Sequence, residues 1–204
     1  MYDLSFKENN ISEILRATIF LFTLFISTLI YAQTIGTRWF SQRTTNGITI
    51  QNSYPKGGRY NGNVENKFNC SYLVFFTRVI NGTDSTLELN INFSSDSIAI
   101  PNSPGTFMQL LLPSEIMTLE KQSLFSYGIT ELASLDKPTS LKRSIKPQED
   151  CLFYVVAFFY QTENGEWSQE RGGNRAELVL EGQNLLYRMH PQVPSLSCGH
   201  LVFE

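Results

Sequence analysis

The segment Cys151–Tyr160, CLFYVVAFFY, decides the fold. Its residues are apolar or aromatic throughout, so neither of its faces has the polar character of a solvent-exposed face. The segment is long enough to be a buried helix. However, its paired valines and many aromatic rings favour a strand, because such side chains fit a pleated surface. Pro147-Gln148-Glu149-Asp150 leads into it as a turn. A central strand, buried on both faces, is therefore predicted here.

A second diagnostic segment, LELNINF at residues 87–93, alternates strictly between apolar and polar residues. Successive side chains point to opposite faces of a strand, so this pattern predicts a strand with one buried and one wet face. It follows the apolar segment YLVFFTRVI at 72–80 after Asn81-Gly82-Thr83-Asp84-Ser85. Because these linking residues favour turns, the two segments are predicted to pair as a hairpin.

Shorter apolar segments bounded by turn residues predict further strands at 48–52, 97–100, 107–112, 116–120, 140–145, 177–180, 185–189 and 200–203. A short helix is predicted only at 128–135, GITELASL. Many short strands without alternating helices are typical of an all-β protein. The prediction is an antiparallel β-sandwich, and a lipocalin-like β-barrel is the alternative.

Two longer patterns resemble strand pairs of known sandwich domains. YLVFFTRVINGTDSTLELNINF at 72–93 and SIKPQEDCLFYVVAFF at 144–159 are similar to strand pairs of immunoglobulin-like and fibronectin-like domains in bacterial exported proteins. The resemblance implies an immunoglobulin-like sandwich. The Cys, Trp, Cys spacing of antibody domains is absent, since no Trp lies between Cys70 and Cys151. For the barrel alternative, Gly36-Thr37-Arg38-Trp39 is similar to the Gly-x-Trp of lipocalins but is one residue longer.

The N-terminal part contains an uninterrupted apolar run, ATIFLFTLFISTLIYA at 17–32, preceded by Arg16. Such a run suits the hydrophobic region of a secretory signal peptide. Residues 1–32 are therefore predicted to be a cleaved signal peptide, and 33–204 a single exported domain in the periplasm or outside the cell. Retention as a membrane anchor remains the alternative, because the preceding segment is long and acidic. After cleavage, no integral membrane segment is expected.

The charge balance argues against two partner classes. The chain has 16 Lys and Arg against 19 Asp and Glu, which gives a formal net charge of −3. Proteins that bind nucleic acids or anionic membranes usually carry a patch or stripe of basic residues. Neither is therefore expected as a partner.

Three cysteines follow the apolar run: Cys70, Cys151 and Cys198. In an oxidising compartment, three cysteines suggest one disulfide and one free thiol. We expect Cys151 to bond Cys198, because a hairpin of 151–161 with 177–188 would bring the chain back beside Cys151. Cys70 is then expected to be a buried thiol.

No catalytic or metal-binding motif is recognised. His190 and His200 do not belong to any spaced metal motif, so no metal or cofactor is predicted. Three carboxylates, Glu163, Glu166 and Glu170, crowd the segment after the central strand. Because glycoside hydrolysis needs two carboxylates at a set separation, a small secreted hydrolase is an alternative function.

Two loops, 54–68 and 161–175, combine flexible glycines with arginine and aromatic residues, the usual anchors of interfaces. The leading hypothesis is a non-enzymatic binding or scaffolding module whose partner is a protein or a glycan. A lipocalin-like carrier of a small apolar ligand is the third possibility. The candidate binding residues are Arg59, Tyr60, Trp167, Arg171 and Arg175.

Two turns carry a short modification pattern. Asp84-Ser85-Thr86 and Asp96-Ser97-Ile98 are similar to the acceptor of a bacterial general O-glycosylation system. The resemblance implies O-glycosylation at Ser85 and Ser97.

Overall fold

Twelve strands form in the residues that the structure, a computed structural model, describes: 38–130, 139–166, 175–190 and 193–203. Residues Arg38–Glu204 make one compact unit. The strands are β1 (Ser41–Thr45), β2 (Ile48–Asn52), β3 (Lys56–Arg59), β4 (Phe68–Asn81), β5 (Leu87–Asn92), β6 (Ile98–Ala99), β7 (Thr106–Leu111), β8 (Ser140–Ile145), β9 (Asp150–Gln161), β10 (Arg175–Glu181), β11 (Asn184–His190) and β12 (Val193–Phe203).

The strands form two antiparallel sheets. The large sheet has the order β1-β2-β4-β9-β7-β6, and β3 also pairs with β4, next to the residues of β4 that pair with β2. The small sheet has the order β10-β11-β12-β5-β8. Their inner faces pack together as a sandwich, which confirms the predicted all-β antiparallel architecture. The sandwich has more strands than the seven of a constant-type immunoglobulin domain.

Strand β9 is central and buried on both faces, as its sequence predicts. Phe153, Val155 and Phe159 point into the main core between the sheets. Tyr154 and Phe158, which alternate with them, point into a second core on the outer face of the large sheet. Each fully buried apolar side chain of this size contributes roughly 1.5–3 kcal/mol to stability.

The main core takes alternate residues from both sheets. Leu87, Leu89 and Ile91 of β5 are at most 2% exposed, as the alternation at 87–93 predicts. They meet residues of the large sheet such as Phe75 and Val79. The small sheet therefore buries one face and leaves the other to solvent.

The predicted hairpin of 72–80 with 87–93 is wrong. Strand β4 pairs with β2, β3 and β9 in the large sheet, whereas β5 pairs with β12 and β8 in the small one. The intervening residues carry the chain from one sheet to the other. Buried Asn81 holds this crossing, because its Nδ2 donates to the carbonyls of Ser85 (2.8 Å) and Ile145 (2.9 Å).

A second buried asparagine links the two sheets directly. Asn52 of β2 accepts a hydrogen bond from the backbone N–H of Leu178 on its Oδ1 (2.9 Å) and donates from Nδ2 to the Leu178 carbonyl (3.1 Å). Thr77 and Ser41 complete its bonding. Strand β10 lies at the edge of its sheet, so the N–H and carbonyl of Leu178 have no neighbouring strand to pair with. The Asn52 side chain supplies these hydrogen-bond partners instead.

Other strand predictions hold in part. The boundaries at 48–52 and 140–145 are confirmed, and the strand at 200–203 is the end of the longer β12. The predicted strand at 116–120 is wrong: this segment is irregular and enters a 3₁₀ helix at Leu119–Ser123. Of the helix predicted at 128–135, residues 131–135 lie outside the described residues, and 128–130 are not α-helical.

Two strands, β1 and β3, were not anticipated. Strand β1 is joined to the predicted β2 through Asn46 (φ 51°) and Gly47 (φ 78°). Asn-Gly with both residues at positive φ is the favoured two-residue hairpin turn. Strand β3 is a short, glycine-rich addition to β4, and the glycine at position 57 fits there because a Cβ would lie 2.0 Å from the Tyr72 carbonyl oxygen.

Candidate binding surface

Residues 113–130, here called the cover segment, lie over part of the outer face of the large sheet. Met117, Tyr127 and Ile129 of this segment are buried in the second core. There they join large-sheet residues that include Phe76 and Tyr154. A sheet whose two faces are both apolar needs a layer on each side, and the cover segment supplies part of the outer layer.

Tyr127 anchors the cover segment to the sheet. Its ring meets Phe76 edge-to-face with centroids 4.8 Å apart, and its hydroxyl donates to the carbonyl of Tyr54. The Tyr154 hydroxyl in turn donates to the Tyr127 carbonyl at 2.8 Å. Lys56 of β3 places its ammonium 4.4 Å from the Tyr127 ring centroid and donates to the Leu124 carbonyl at 2.9 Å. These contacts hold the segment in one position.

The backbone at this anchor adopts an uncommon conformation. Ser126 (φ 45°, ψ 31°) and Tyr127 (φ 55°, ψ 30°) both lie in the left-handed region, which costs of order 1–3 kcal/mol per non-glycine residue. The chain turns here so that Tyr127 is 4% exposed while Phe125, two residues earlier, is 73% exposed. The contacts of Tyr127 offset the strain, and the outcome is an aromatic ring presented to solvent.

Phe125 belongs to a group of exposed apolar side chains, here called the cover patch. Ile116 is 77% exposed, Leu124 48% and Leu119 37%. The patch residues are held near one another, because Lys121 donates to the Ile116 carbonyl (2.6 Å) and accepts a backbone bond from Leu124. Grouped apolar exposure of this kind is typical of interaction surfaces.

Strand β3 passes beneath the cover patch. A Cβ at Gly58 would lie 3.9 Å from the Phe125 ring, whereas the exposed Arg59, which pairs with Ser71, alternates with Gly58 and points to the opposite face of the large sheet. Glu120, which follows Leu119, is exposed. Among the described residues, neither Arg59 nor Glu120 has a salt bridge.

The structure places two of the predicted binding residues, Arg59 and Tyr60, on opposite faces of the large sheet. Arg59 points away from the cover segment, whereas Tyr60 packs edge-to-face on Phe158 at 5.3 Å and is half-buried. Beside Tyr60, the ammonium of Lys67 lies 4.3 Å from the Tyr160 ring centroid. Within residues 60–67, Tyr60 and Val64 therefore pack against the second core, whereas residues 61–63, 65 and 66 are exposed.

The described candidate residue of the other predicted loop, Arg175, lies far from Arg59. Arg175, exposed at the start of β10, lies 5.4 Å from the ring centroid of Phe40. Phe40 bonds Asn52, which pairs with Thr77 of β4, whereas Arg59 pairs with Ser71. Six residues of strand separate these positions by about 20 Å. Trp167 and Arg171 lie outside the described residues.

Two of the three carboxylates of the hydrolase alternative lie in the described residues. Glu163 and Glu166 are both exposed, and Glu170 lies outside the described residues. The Glu166 N–H donates to the Pro104 carbonyl (2.8 Å), and the Thr106 hydroxyl donates to the Glu166 carbonyl (2.9 Å), which fixes the loop against the turn before β7 and the start of β7. Within the described ranges, no group of three or more His, Cys, Asp or Glu side chains could hold a metal ion.

The predicted Cys151–Cys198 bridge is not formed, because all three cysteines are free. The hairpin behind the prediction is wrong: β9 pairs with β4 and β7, whereas β10 pairs with β11. Cys198 is buried and donates to the Leu185 carbonyl at 3.4 Å, and burial raises its thiol pKa to about 12. Burial also raises the pKa values of Cys151 and of Cys70, which is half-buried instead of fully buried.

The two predicted O-glycosylation sites are partly accessible. Ser85 is half-buried in the crossing between the sheets. Ser97, also half-buried, accepts a hydrogen bond from the Tyr160 hydroxyl at 2.8 Å. Their modification stays a prediction.

The apolar residues of the cover patch are not indicated as functional candidates by the sequence, because the pattern at 116–120 predicts a strand and the pattern around Leu124 and Phe125 predicts no element. One signal could have found them. A central strand that is apolar on both faces requires a covering layer on each side, and a two-sheet sandwich supplies only one. The segment between β7 and β8 was available to form the other.

Comparisons with protein-family models, with curated proteins and with solved structures find no match for this chain. In the described part of the chain, no helix has the length and apolar character needed to cross a membrane.

Proposed function

We propose that this chain is an exported, non-enzymatic binding module that recognises a partner protein through the cover patch. The observation that carries the proposal is the exposure of Phe125 and Ile116 on a rigidly anchored segment. Large apolar side chains in water contribute nothing to folding, whereas their burial against a partner is favourable.

The chemistry of the surface favours a protein over a glycan. Aromatic residues are enriched at protein interfaces, and the core of an interface is more apolar than the rest of the surface. The patch supplies Phe125 and three aliphatic side chains. A sugar would use the face of a ring together with several polar groups, whereas three of the four side chains of this patch are aliphatic.

The anchoring of the patch supports a binding role in a second way. Ordering a loop at an interface reduces affinity, so a surface that is already fixed loses less entropy when it binds. Tyr127 fixes the backbone next to Phe125 through its ring and its hydroxyl. The left-handed residues at this point are consistent with a segment shaped for recognition.

The test compares two apolar-to-acidic substitutions, one in the cover patch and one on the small sheet. Phe125→Asp changes the patch, and Val202→Asp changes an exposed apolar residue (40%) of the small sheet. Each variant is immobilised and incubated with an extract of the cells that make the protein. We expect Phe125→Asp to abolish capture of proteins that wild type and Val202→Asp both retain, with melting temperatures of all three alike. Equal capture by Phe125→Asp and wild type would contradict the proposed function.

A further inference from the structure

Four Asn-Gly pairs occur in this chain, and they begin at Asn46, Asn61, Asn81 and Asn164. An asparagine deamidates most readily when glycine follows it, because glycine has no side chain to hinder attack by its backbone nitrogen on the asparagine amide. The attack also needs a glycine N–H without a hydrogen bond and a backbone that can rotate. The four pairs differ in both respects, so the fold selects among them.

Hydrogen bonds protect two of the four pairs. The Gly82 N–H donates to the Gly47 carbonyl at 2.9 Å, and the Gly165 N–H donates to the Thr162 carbonyl at 2.9 Å. In the first of these pairs, Asn81 is fully buried, and its Nδ2 donates to two backbone carbonyls. The attacking nitrogen is therefore held in both pairs, and the amide of Asn81 is held as well.

The pair at Asn46 is exposed but lies in a fixed turn. Asn46 (φ 51°) and Gly47 (φ 78°) join β1 to β2, and the strands pair directly beside them at Thr45 and Ile48. The Gly47 carbonyl also accepts the hydrogen bond from Gly82. Deamidation requires rotation about the Cα–C bond of the asparagine, and pairing on both sides of the turn opposes that rotation. Deamidation at Asn46 is therefore expected to be slow.

We propose that Asn61 is a modification site, at which water deamidates the side chain without an enzyme. Asn61 and Gly62 are both exposed, and neither makes a hydrogen bond within the described residues. They form a short span between two anchored positions. The Tyr60 N–H donates to the Cys70 carbonyl at 3.0 Å, and Val64 packs against the second core. The pair at Asn61 thus combines a free attacking nitrogen with a backbone that no strand pairing holds.

The reaction consumes water and releases ammonia. The Gly62 nitrogen forms a bond to Cγ of Asn61, and Nδ2 leaves as ammonia with the proton that the Gly62 N–H gives up. Water then opens the cyclic imide. Cleavage of the new bond to Cγ gives aspartate, whereas cleavage of the original main-chain bond gives isoaspartate. Either product places a carboxylate beside Tyr60, whose ring packs on Phe158.

The test follows the purified full chain in mildly alkaline buffer by peptide mapping with mass spectrometry. We expect Asn61 to deamidate at least roughly tenfold faster than Asn81, because Asn81 must first be released by local opening of the fold. Asn46 and Asn164 should also react more slowly than Asn61. In concentrated urea, which removes the protection by the fold, the four rates should become similar.

Two variants provide the matched comparison. Asn61→Gln should abolish the acidic species that appears first on ion-exchange chromatography, because a glutamine side chain closes the ring far more slowly. Asn164→Gln, which changes another exposed Asn-Gly pair, should leave that species unchanged. A rate at Asn61 in the folded chain no higher than the rate at Asn81, or an early acidic species that persists in Asn61→Gln, would overturn the proposal.

Discussion

The two faces of the large sheet are covered in different ways. The inner face packs against a second sheet, whose strands pair with one another and whose edge strand β10 also bonds Asn52 of the large sheet. The outer face is covered partly by the irregular segment 113–130, which depends on side-chain hydrogen bonds to Tyr54, Tyr127 and Leu124. The inner layer is therefore built from regular paired strands, whereas the outer layer combines a buried underside with exposed apolar side chains on its upper side.

Substitution of two adjacent phenylalanines of β4 is expected to give the largest difference between the two cores. Phe75 (2% exposed) lies in the main core, and Phe76 (1%) lies beneath Tyr127. Replacing either with Ala should lower the free energy of unfolding by about 3–5 kcal/mol. Only Phe76→Ala should also loosen the cover segment. Trypsin cleavage after Lys121 would then precede global unfolding in Phe76→Ala, and equal cleavage in Phe75→Ala would contradict the separation.

Asn52→Ala tests the link between the sheets. The substitution leaves the buried N–H and carbonyl of Leu178 without their side-chain partner, so we expect a loss of about 2–4 kcal/mol, measured by urea denaturation. Ser41→Ala removes only one of the bonds to Asn52 and serves as the milder control. An Asn52→Ala variant as stable as the control would mean that the two sheets are held by apolar packing alone.

Two buried tyrosines give a smaller, matched comparison. Tyr154 donates its hydroxyl to the Tyr127 carbonyl, whereas the Tyr187 hydroxyl, buried in the main core, has no hydrogen-bond partner among the described residues. Tyr154→Phe should destabilise the fold by about 1 kcal/mol, and Tyr187→Phe should be neutral or stabilising. Calorimetric melting of both variants decides this, and a destabilised Tyr187→Phe would reveal a partner for that hydroxyl.

The sequence predicts individual strands better than their pairing. The sequence CLFYVVAFFY predicts a strand buried on both faces, and the alternation at 87–93 predicts a strand buried on one face. Both predictions are confirmed. Pairing depends on contacts distant in sequence. Asn81 reaches the carbonyl of Ile145, and that contact is consistent with a crossing between sheets where the turn residues suggest a hairpin.

The cover segment could not be derived from local pattern, because its shape is set by Tyr127 and its contacts with Phe76, Tyr54 and Lys56. Those contacts come from β3, β4 and the loop before β3, far away in the sequence. A short apolar run such as that at 116–120 does not distinguish a strand from an irregular layer packed on a sheet. Phe125 is exposed because the chain turns through two left-handed residues, Ser126 and Tyr127. Neither of them is glycine, so the sequence does not indicate the turn.

Photo-cross-linking from the cover patch tests the central claim, that the outer layer is a binding surface, most directly. A photoreactive phenylalanine analogue replaces Phe125 in one protein and Val202, on the small sheet, in another. We predict covalent adducts from position 125 in the cells that make the protein and none from position 202. Mass spectrometry of the adduct then shows whether the partner is a second copy. An absence of adducts from position 125, or equal yields from the two positions, would contradict the claim.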